Sequence, residues 1–119
     1  MSETQSHQHH SIDYLEFTMS NMENAQSFYS QAFGWEFTDY APQYAGINVG
    51  GREVGGFRIG QVTEGGPLPV LYSKDLQASL NAVRKAGGII KLEPFEFPGG
   101  RRFHFLDPCG NELAVWSEK

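Results

Sequence analysis

An α+β fold built from two βαβββ modules is what this sequence predicts, and three observations carry that reading. Strand-like alternation and helical periodicity succeed one another as strand, helix, then about three strands. The same order begins again past the middle of the chain. Sliding one half over the other by 54 positions sets Asn21 on Asp75, Ala32 on Ala86 and Gly34 on Gly88. Self-similarity at a fixed offset speaks to architecture more strongly than any single motif. One βαβββ unit cannot bury its sheet face alone, so the two are expected to pair. Each helix covers the apolar face of its own strands, which leaves the opposite faces free to curl round a cavity.

Taken in order, residues 1–11, MSETQSHQHHS, are polar and aperiodic and read as a disordered tail. His7, His9 and His10 in such a tail make a poor metal site. Ile12 to Met19 alternates as a strand, with Leu15, Phe17 and Met19 on one face and Tyr14, Glu16 and Thr18 on the other. Ser20 followed three residues later by Glu23 reads as a capping box, so a helix is expected over about 21–33. Met22, Ala25, Tyr29, Ala32 and Phe33 form its apolar stripe, with Phe28 on the flank, and Gly34 stops it. Trp35 to Tyr40 and Gln43 to Val49 are strands separated by Pro42, and Arg52 to Ile59 returns after Gly50-Gly51. Gly55-Gly56 inside that return signals a bulge or a close backbone approach.

Gly60 to Pro67 is the linker between module 1, about 12–59, and module 2, about 67–117, within a single domain of 12–118. Leu68 to Ser73 is the next strand. Asp75 caps a helix over about 75–86 whose core positions are Leu76, Leu80 and Val83, and Gly87-Gly88 ends it. Ile89 to Leu92 is a strand, and Pro94 to Pro98 an extended edge. Arg102 to Leu106 and Glu112 to Trp116 close the chain as a hairpin. Asp107-Pro108-Cys109-Gly110-Asn111 has the chemistry of its turn: a capping carboxylate, a fixed φ, and residues that accept φ > 0. Alternation sends Phe103, Phe105, Leu113 and Val115 to one face. It sends Arg102, His104, Leu106, Glu112, Ala114 and Trp116 to the other.

Composition narrows the function. A net charge of −5 with no basic cluster beyond Arg101-Arg102 argues against a nucleic-acid partner. No apolar run approaches the roughly 18 residues of a membrane span, and no signal peptide is read at the start. The single Cys109 excludes an internal disulfide and fits a reducing, cytoplasmic setting.

Three stretches then bear a family resemblance: SNMENAQSFYSQAFGW from Ser20, KDLQASLNAVRKAGG from Lys74, and PGGRRFHFLDPCGNELAVW from Pro98. In this order and spacing the chain resembles the vicinal oxygen chelate superfamily of glyoxalase I, bleomycin-resistance proteins and extradiol dioxygenases. Within it, the small glyoxalase-related proteins of unassigned activity are the most similar subgroup. The resemblance implies paired βαβββ modules and a cup-shaped mixed sheet with a site between them. It also implies a divalent metal held by four side chains, two per module. Their positions fall on Tyr14 and Leu68, seven residues before the residue that opens each helix, and on Ala114, four after Gly110. The fourth falls between Val54 and Ile59, with Glu53 just outside. Leu and Ala cannot coordinate a cation, so no metal ligands and no cofactor are expected at the usual site.

Other groups on the non-helix faces are candidates. His104, with Glu16 and Glu112, is the candidate acid–base set, and a divalent metal has a place only at a relocated site built from those three. The alternative for them is a hydrogen-bonded strand histidine and two solvated carboxylates. Tyr14, Thr18, Tyr72 and Trp116 are the expected substrate-binding residues. The function these readings favour is small-molecule binding in the cup without the usual metal. The alternatives are a metal-dependent lyase, isomerase or dioxygenase on a small oxygenated substrate, of lactoylglutathione-lyase or dioxygenase type by resemblance, and a non-catalytic interaction module. A homodimer is expected, paired near Phe95 and Phe97.

Overall fold

Capping residues set where both helices begin, and the helices set which sheet face is buried. The structure, a computed structural model, describes residues 7–61, 66–108 and 110–118. It divides into two compact units, Tyr14–Pro67 and Leu68–Lys119, the second also taking in the N-terminal residues up to Asp13. Both are βαβββ modules of an α+β protein.

The first module comprises β1 (Ile12–Met19), α1 (Met22–Phe33), β2 (Glu36–Ala41), β3 (Tyr44–Val49) and β4 (Arg52–Ile59). Its strand order is β2-β3-β4-β1, with β1 parallel to β4 and the other pairs antiparallel. Helix α1 starts one residue later than the capping box suggests. Asn21, extended at φ −146°, is the N-cap, and its side-chain oxygen accepts from Asn24 N–H at 2.8 Å. Glu23 thereby falls at the second helical position, too early to reach back to a cap. It remains in the first turn, where its charge suits the helix dipole. Gly34 closes the helix in the left-handed conformation.

The apolar stripe of α1 is only partly used. Met22, Ala25 and Tyr29 are half-buried, while Phe28 and Phe33 stay exposed. Tyr29 stacks on Trp35 at 4.8 Å and leans on Phe57 at 5.6 Å. Phe57, Ile47 and Ala45 are buried beneath, with Phe17 and Phe37 against Phe57.

The second module comprises β5 (Leu68–Tyr72), α2 (Leu76–Lys85), β6 (Ile89–Phe97), β7 (Gly100–Leu106) and β8 (Glu112–Ser117), ordered β5-β8-β7-β6 with β5 parallel to β8. Asp75 caps α2 as the sequence indicates, accepting from Ala78 N–H at 3.1 Å. Leu76 and Leu80 pack on Phe103 and Val115, flanked by Leu71, Val83, Ile90 and Phe105. The repeat is therefore kept at the helix starts, where Asn21 and Asp75 do the same work. It slips by one at the helix ends, where Gly87 rather than Gly88 takes positive φ.

The stretch expected as a short strand and a separate edge is one strand, β6, with irregular register between Ile90 and Leu92 and between Leu92 and Phe95. Pro94 is tolerated because β6 ends the strand order, where a missing N–H interrupts no second ladder. In the closing hairpin Asp107 N–H donates to Asn111 C=O and Asn111 N–H to Asp107 Oδ1, both at 2.9 Å. Gly110 takes φ 91° as the turn requires. Cys109 and residues 62–65 of the linker lie outside the described residues.

The described part of the tail departs from expectation. His10 N–H donates to Tyr72 C=O at 2.7 Å and Tyr72 N–H to Ser11 C=O at 3.1 Å. His9 Nδ1 accepts from Lys74 N–H at 3.0 Å, and His10 Nε2 lies 3.2 Å from Ser79 Oγ. These are isolated contacts to residues far along the chain, so they leave no periodic trace in sequence. Residues 1–6 lie outside the described residues. Among the described residues no helix is long and apolar enough to cross a membrane.

Two substitutions test the packing account. Phe103→Ala removes a fully buried ring and is expected to cost about 3–5 kcal/mol. Asp75→Ala is expected to cost about 1 kcal/mol through the lost cap. Urea unfolding should show both as lower midpoints at unchanged slope.

Candidate functional site

Burying Ala45, Ile47 and Phe57 under α1 commits the alternate residues of the same strands to the other face. Tyr14, Glu16 and Thr18 on β1, Tyr44 and Gly46 on β3, and Gly56 and Arg58 on β4 accordingly share it. Simple alternation would put Glu53 with Gly55 and Phe57, on the helix side. It does not lie there, because Ile47 opposes Gly55 while Asn48 opposes Glu53, which leaves Val54 as an extra residue. A bulge of this kind reverses parity along the strand. Glu53 is thereby turned across Gly46, where an added Cβ would lie 2.5 Å from its carboxyl carbon.

A hydroxyl–carboxylate cluster results. Tyr14 Oη lies 2.7 Å from Tyr44 Oη and donates to Glu53 Oε2 at 3.1 Å. Tyr40 Oη donates to the other oxygen, Oε1. Gly56 makes the room: a Cβ there would sit 2.1 Å from Tyr44 Oη and 2.6 Å from Tyr14 Oη. Burial, then the proximity of Tyr44 and Glu53, push the Tyr14 phenol well above its ordinary value. The hydrogen bond to Glu53, then burial, push Tyr40 up to about 12. Both hydroxyls therefore remain protonated donors through the neutral range. Of the expected residues on this face, Glu16 is buried with Oε1 3.9 Å from Arg58 Nε. Arg58 also donates to Thr18 Oγ1 at 3.2 Å.

In the second module the helix side holds Phe103, Phe105 and Val115, and the other side holds His104 and Glu112 together. His104 is buried, and its Nδ1 lies 2.9 Å from Glu112 Oε2, while Lys91 donates to Oε1 at 2.8 Å. Burial works against ionisation of Glu112, but the hydrogen bonds from Lys91 and His104 outweigh it and hold its carboxyl below the usual range. An ionised Glu112 puts the shared proton on His104 Nδ1. Of the proposed acid–base trio, then, the structure joins His104 to Glu112 and gives Glu16 the partner Arg58 in its own module.

Tyr72 and Trp116, expected as ligand walls, do meet, with ring centroids 5.2 Å apart. Tyr72 donates to Glu118 at 2.6 Å and Trp116 Nε1 to Asp13 Oδ2 at 3.1 Å. Phe95 and Phe97 hold the Arg102 guanidinium at 5.6 and 5.9 Å. Sequence reasoning missed Tyr40, Tyr44, Glu53, Asp13 and His7. The pairing of Tyr40 and Tyr44 around the Pro42 turn is a usable signal; for Glu53 the trace is Gly55-Gly56, which marks a bulge nearby without saying which side chain it turns. An open concavity of about 650 Å³ beside Phe33–Thr38 and Asn48–Gly51 is lined by none of these site residues.

The chain belongs to the Glyoxalase/Bleomycin resistance protein/Dioxygenase superfamily, whose family model matches residues 11–115. Among solved structures it is similar to an NAD-dependent benzaldehyde dehydrogenase from Legionella pneumophila, at 15% identity and TM-score 0.70, covering 89% of this chain and 98% of that one. It is similar to the Mn(II)-bound glyoxalase from Novosphingobium aromaticivorans, at 22% identity and TM-score 0.69, covering 90% of this chain and 38% of that one. It is similar to a variant of homoprotocatechuate 2,3-dioxygenase from B. fuscum, at 12% identity and TM-score 0.70, covering 91% and 32%. This chain thus spans about a third of the length of the last two. No curated protein matches the sequence. At these identities the likeness concerns the fold, and three such different names show that the fold alone does not choose an activity.

The superfamily implies a divalent metal, and the residues at the implied positions do not fit one. Leu68 and Ala114 offer no donor atom. Tyr14 is a protonated phenol already bonded to Tyr44 and Glu53. Among the described residues no three His, Cys, Asp or Glu side chains gather at one point.

The cluster predicts a pH signature. Because the folded value of Tyr40 lies above the ordinary 10.0, its bond to Glu53 stabilises fully below pH 10.0 and is lost as pH rises through about 12. Tyrosine titration followed by NMR should show Tyr40 ionising near 12. Glu53→Gln should bring it back toward 10.0, since the carboxylate is the leading cause of the shift.

Proposed function

We propose that this protein binds a small oxygenated molecule through the non-helix face of its first module, without the metal that the superfamily's enzymes use. The observation that carries this is the Tyr14–Tyr44–Tyr40–Glu53 cluster, seated where Gly46 and Gly56 leave room. Tyr14 and Tyr40 turn their single O–H donors onto Glu53 within the cluster, and the phenolic oxygens and Glu53 keep lone pairs that accept from ligand hydroxyls. Convergent polar groups of fixed orientation are what gives a small-molecule site its specificity. Thr18, beside Arg58, extends the same face. The choice of binding over metal-assisted catalysis rests on donor chemistry: two of the implied positions have none, and a divalent ion needs several.

Thermal shift against a panel of small hydroxy, keto and carboxylic compounds, with and without Mn²⁺, Ni²⁺ or Zn²⁺, tests this. A ligand at 100 times its Kd should add about 2.7 kcal/mol of stability. The expected gain is independent of metal and falls at least tenfold in apparent affinity for Tyr14→Phe and Glu53→Gln. One tightly bound metal ion per chain, lost on Glu53→Gln or on His104→Ala, would overturn the reading.

The same proposal includes a homodimer, paired along β6, whose Ile89 and Leu92 are exposed at the end of the strand order. An unpaired edge with apolar side chains favours such pairing. Light scattering at micromolar concentration should give twice the chain mass; a monomer mass removes this part.

A further inference from the structure

The second module holds a receptor that the chain fills with its own side chain. Gln8 to Ser11 form a turn, with Ser11 N–H donating to Gln8 C=O at 3.2 Å and His10 at φ 64°. The turn folds His7 back onto the start of β1. Its ring stacks on Tyr72 at 5.0 Å and 25°, and meets Trp116 edge-on at 5.0 Å and 87°. Its Nδ1 lies 2.9 Å from Asp13 Oδ1.

The receptor is also held together by bonds that do not involve His7. Trp116 Nε1 holds the other oxygen of Asp13, Tyr72 is anchored to Glu118, and Tyr72 and Trp116 are register partners on β5 and β8. The Asp13 side chain is 5% exposed, so its negative charge faces the ring in a largely dry setting. A flat ring stacked on Tyr72 and edge-on to Trp116, with a buried carboxylate at its N–H edge, satisfies three demands at once. Stacking takes the ring plane, the carboxylate takes an N–H, and the aromatic faces with the carboxylate favour positive charge. Aliphatic or anionic ligands meet none of them. We infer that Tyr72, Trp116 and Asp13 form a binding site for an imidazole-type nitrogen heterocycle, and that His7 is its tethered occupant. It is distinct from the tyrosine–carboxylate cluster of the first module.

The tether sets the competition. A side chain six residues from its anchor is present at an effective concentration in the millimolar range. A free heterocycle that binds weakly is therefore excluded until His7 leaves, and a tighter one opens the tail. Removing His7 should unmask the site.

Imidazole is the probe, and the indole N–H signal of Trp116 in the ¹⁵N spectrum is the readout, identified by its loss in Trp116→Phe. Trp35 serves as the internal control. In His7→Ala, imidazole should move the Trp116 signal saturably and leave that of Trp35 in place. The half-saturation should lie at least tenfold below that of the unaltered chain. A chain lacking residues 1–7 should behave like His7→Ala. Adding Asp13→Asn to His7→Ala should weaken imidazole at least tenfold, and acetate should give no saturable shift in any variant. Identical imidazole titrations with and without His7 would overturn the inference. So would an equal response to acetate. Asp13→Asn tests only the carboxylate's part, so a folding defect in that variant leaves the comparison of the His7 variants decisive.

Discussion

Each module has one apolar sheet face to bury, and the period of two along a strand then commits every alternate residue to the opposite face. Phe103 and Val115 lie under α2, so His104, Ala114 and Trp116 cannot. A slip of one residue in β7 would bring Arg102 and His104 beneath Leu76 and Leu80, at the cost of burying a charge and an imidazole against hydrocarbon. The hydrophobic register is thus also the register of the polar groups. What reads as core packing on one side is placement of chemistry on the other.

The first module breaks that rule once. The extra residue at Val54 turns Glu53 from the helix side to the polar side. A carboxylate arriving on a half-buried face needs partners, and the hydroxyls of Tyr14 and Tyr40 supply them, with Tyr44 bonded to Tyr14 in turn. The arrangement is mutual: the carboxylate accepts what the phenols donate, and burial raises the cost of losing either. Glycines at 46 and 56 are part of the device, since any side chain there would enter the space the cluster occupies.

The N-terminal residues show how weak sequence signals become definite contacts. A polar, histidine-rich tail has no face to bury, and it carries no periodicity. Yet His7, His9 and His10 each find a partner in the second module, because the Tyr72–Trp116 ring pair, the Lys74 backbone N–H and the Ser79 hydroxyl lie where the tail passes. Those partners are more than 60 residues away in the chain, as the His10–Ser79 separation of 69 illustrates.

Local chemistry in the sequence determined the α+β class, the two modules, both helices to within a residue and the closing turn. Period-two and helical patterns, the Asp75 cap and the Asp107–Asn111 turn all act between neighbours in the chain, so they are legible without coordinates. The sequence also placed Tyr14, His104 and Trp116 on their faces by alternation. Tertiary structure alone decided the rest: the union of two segments into β6, the arrival of Glu53 among the tyrosines, and the seat of His7 on Tyr72 and Trp116. Each depends on which strand lies opposite which, and on where one strand carries an extra residue. Pairing register, and which side chain a bulge turns, are settled by contacts between residues distant in sequence; Gly55-Gly56 marked the neighbourhood of the bulge but not its effect on Glu53.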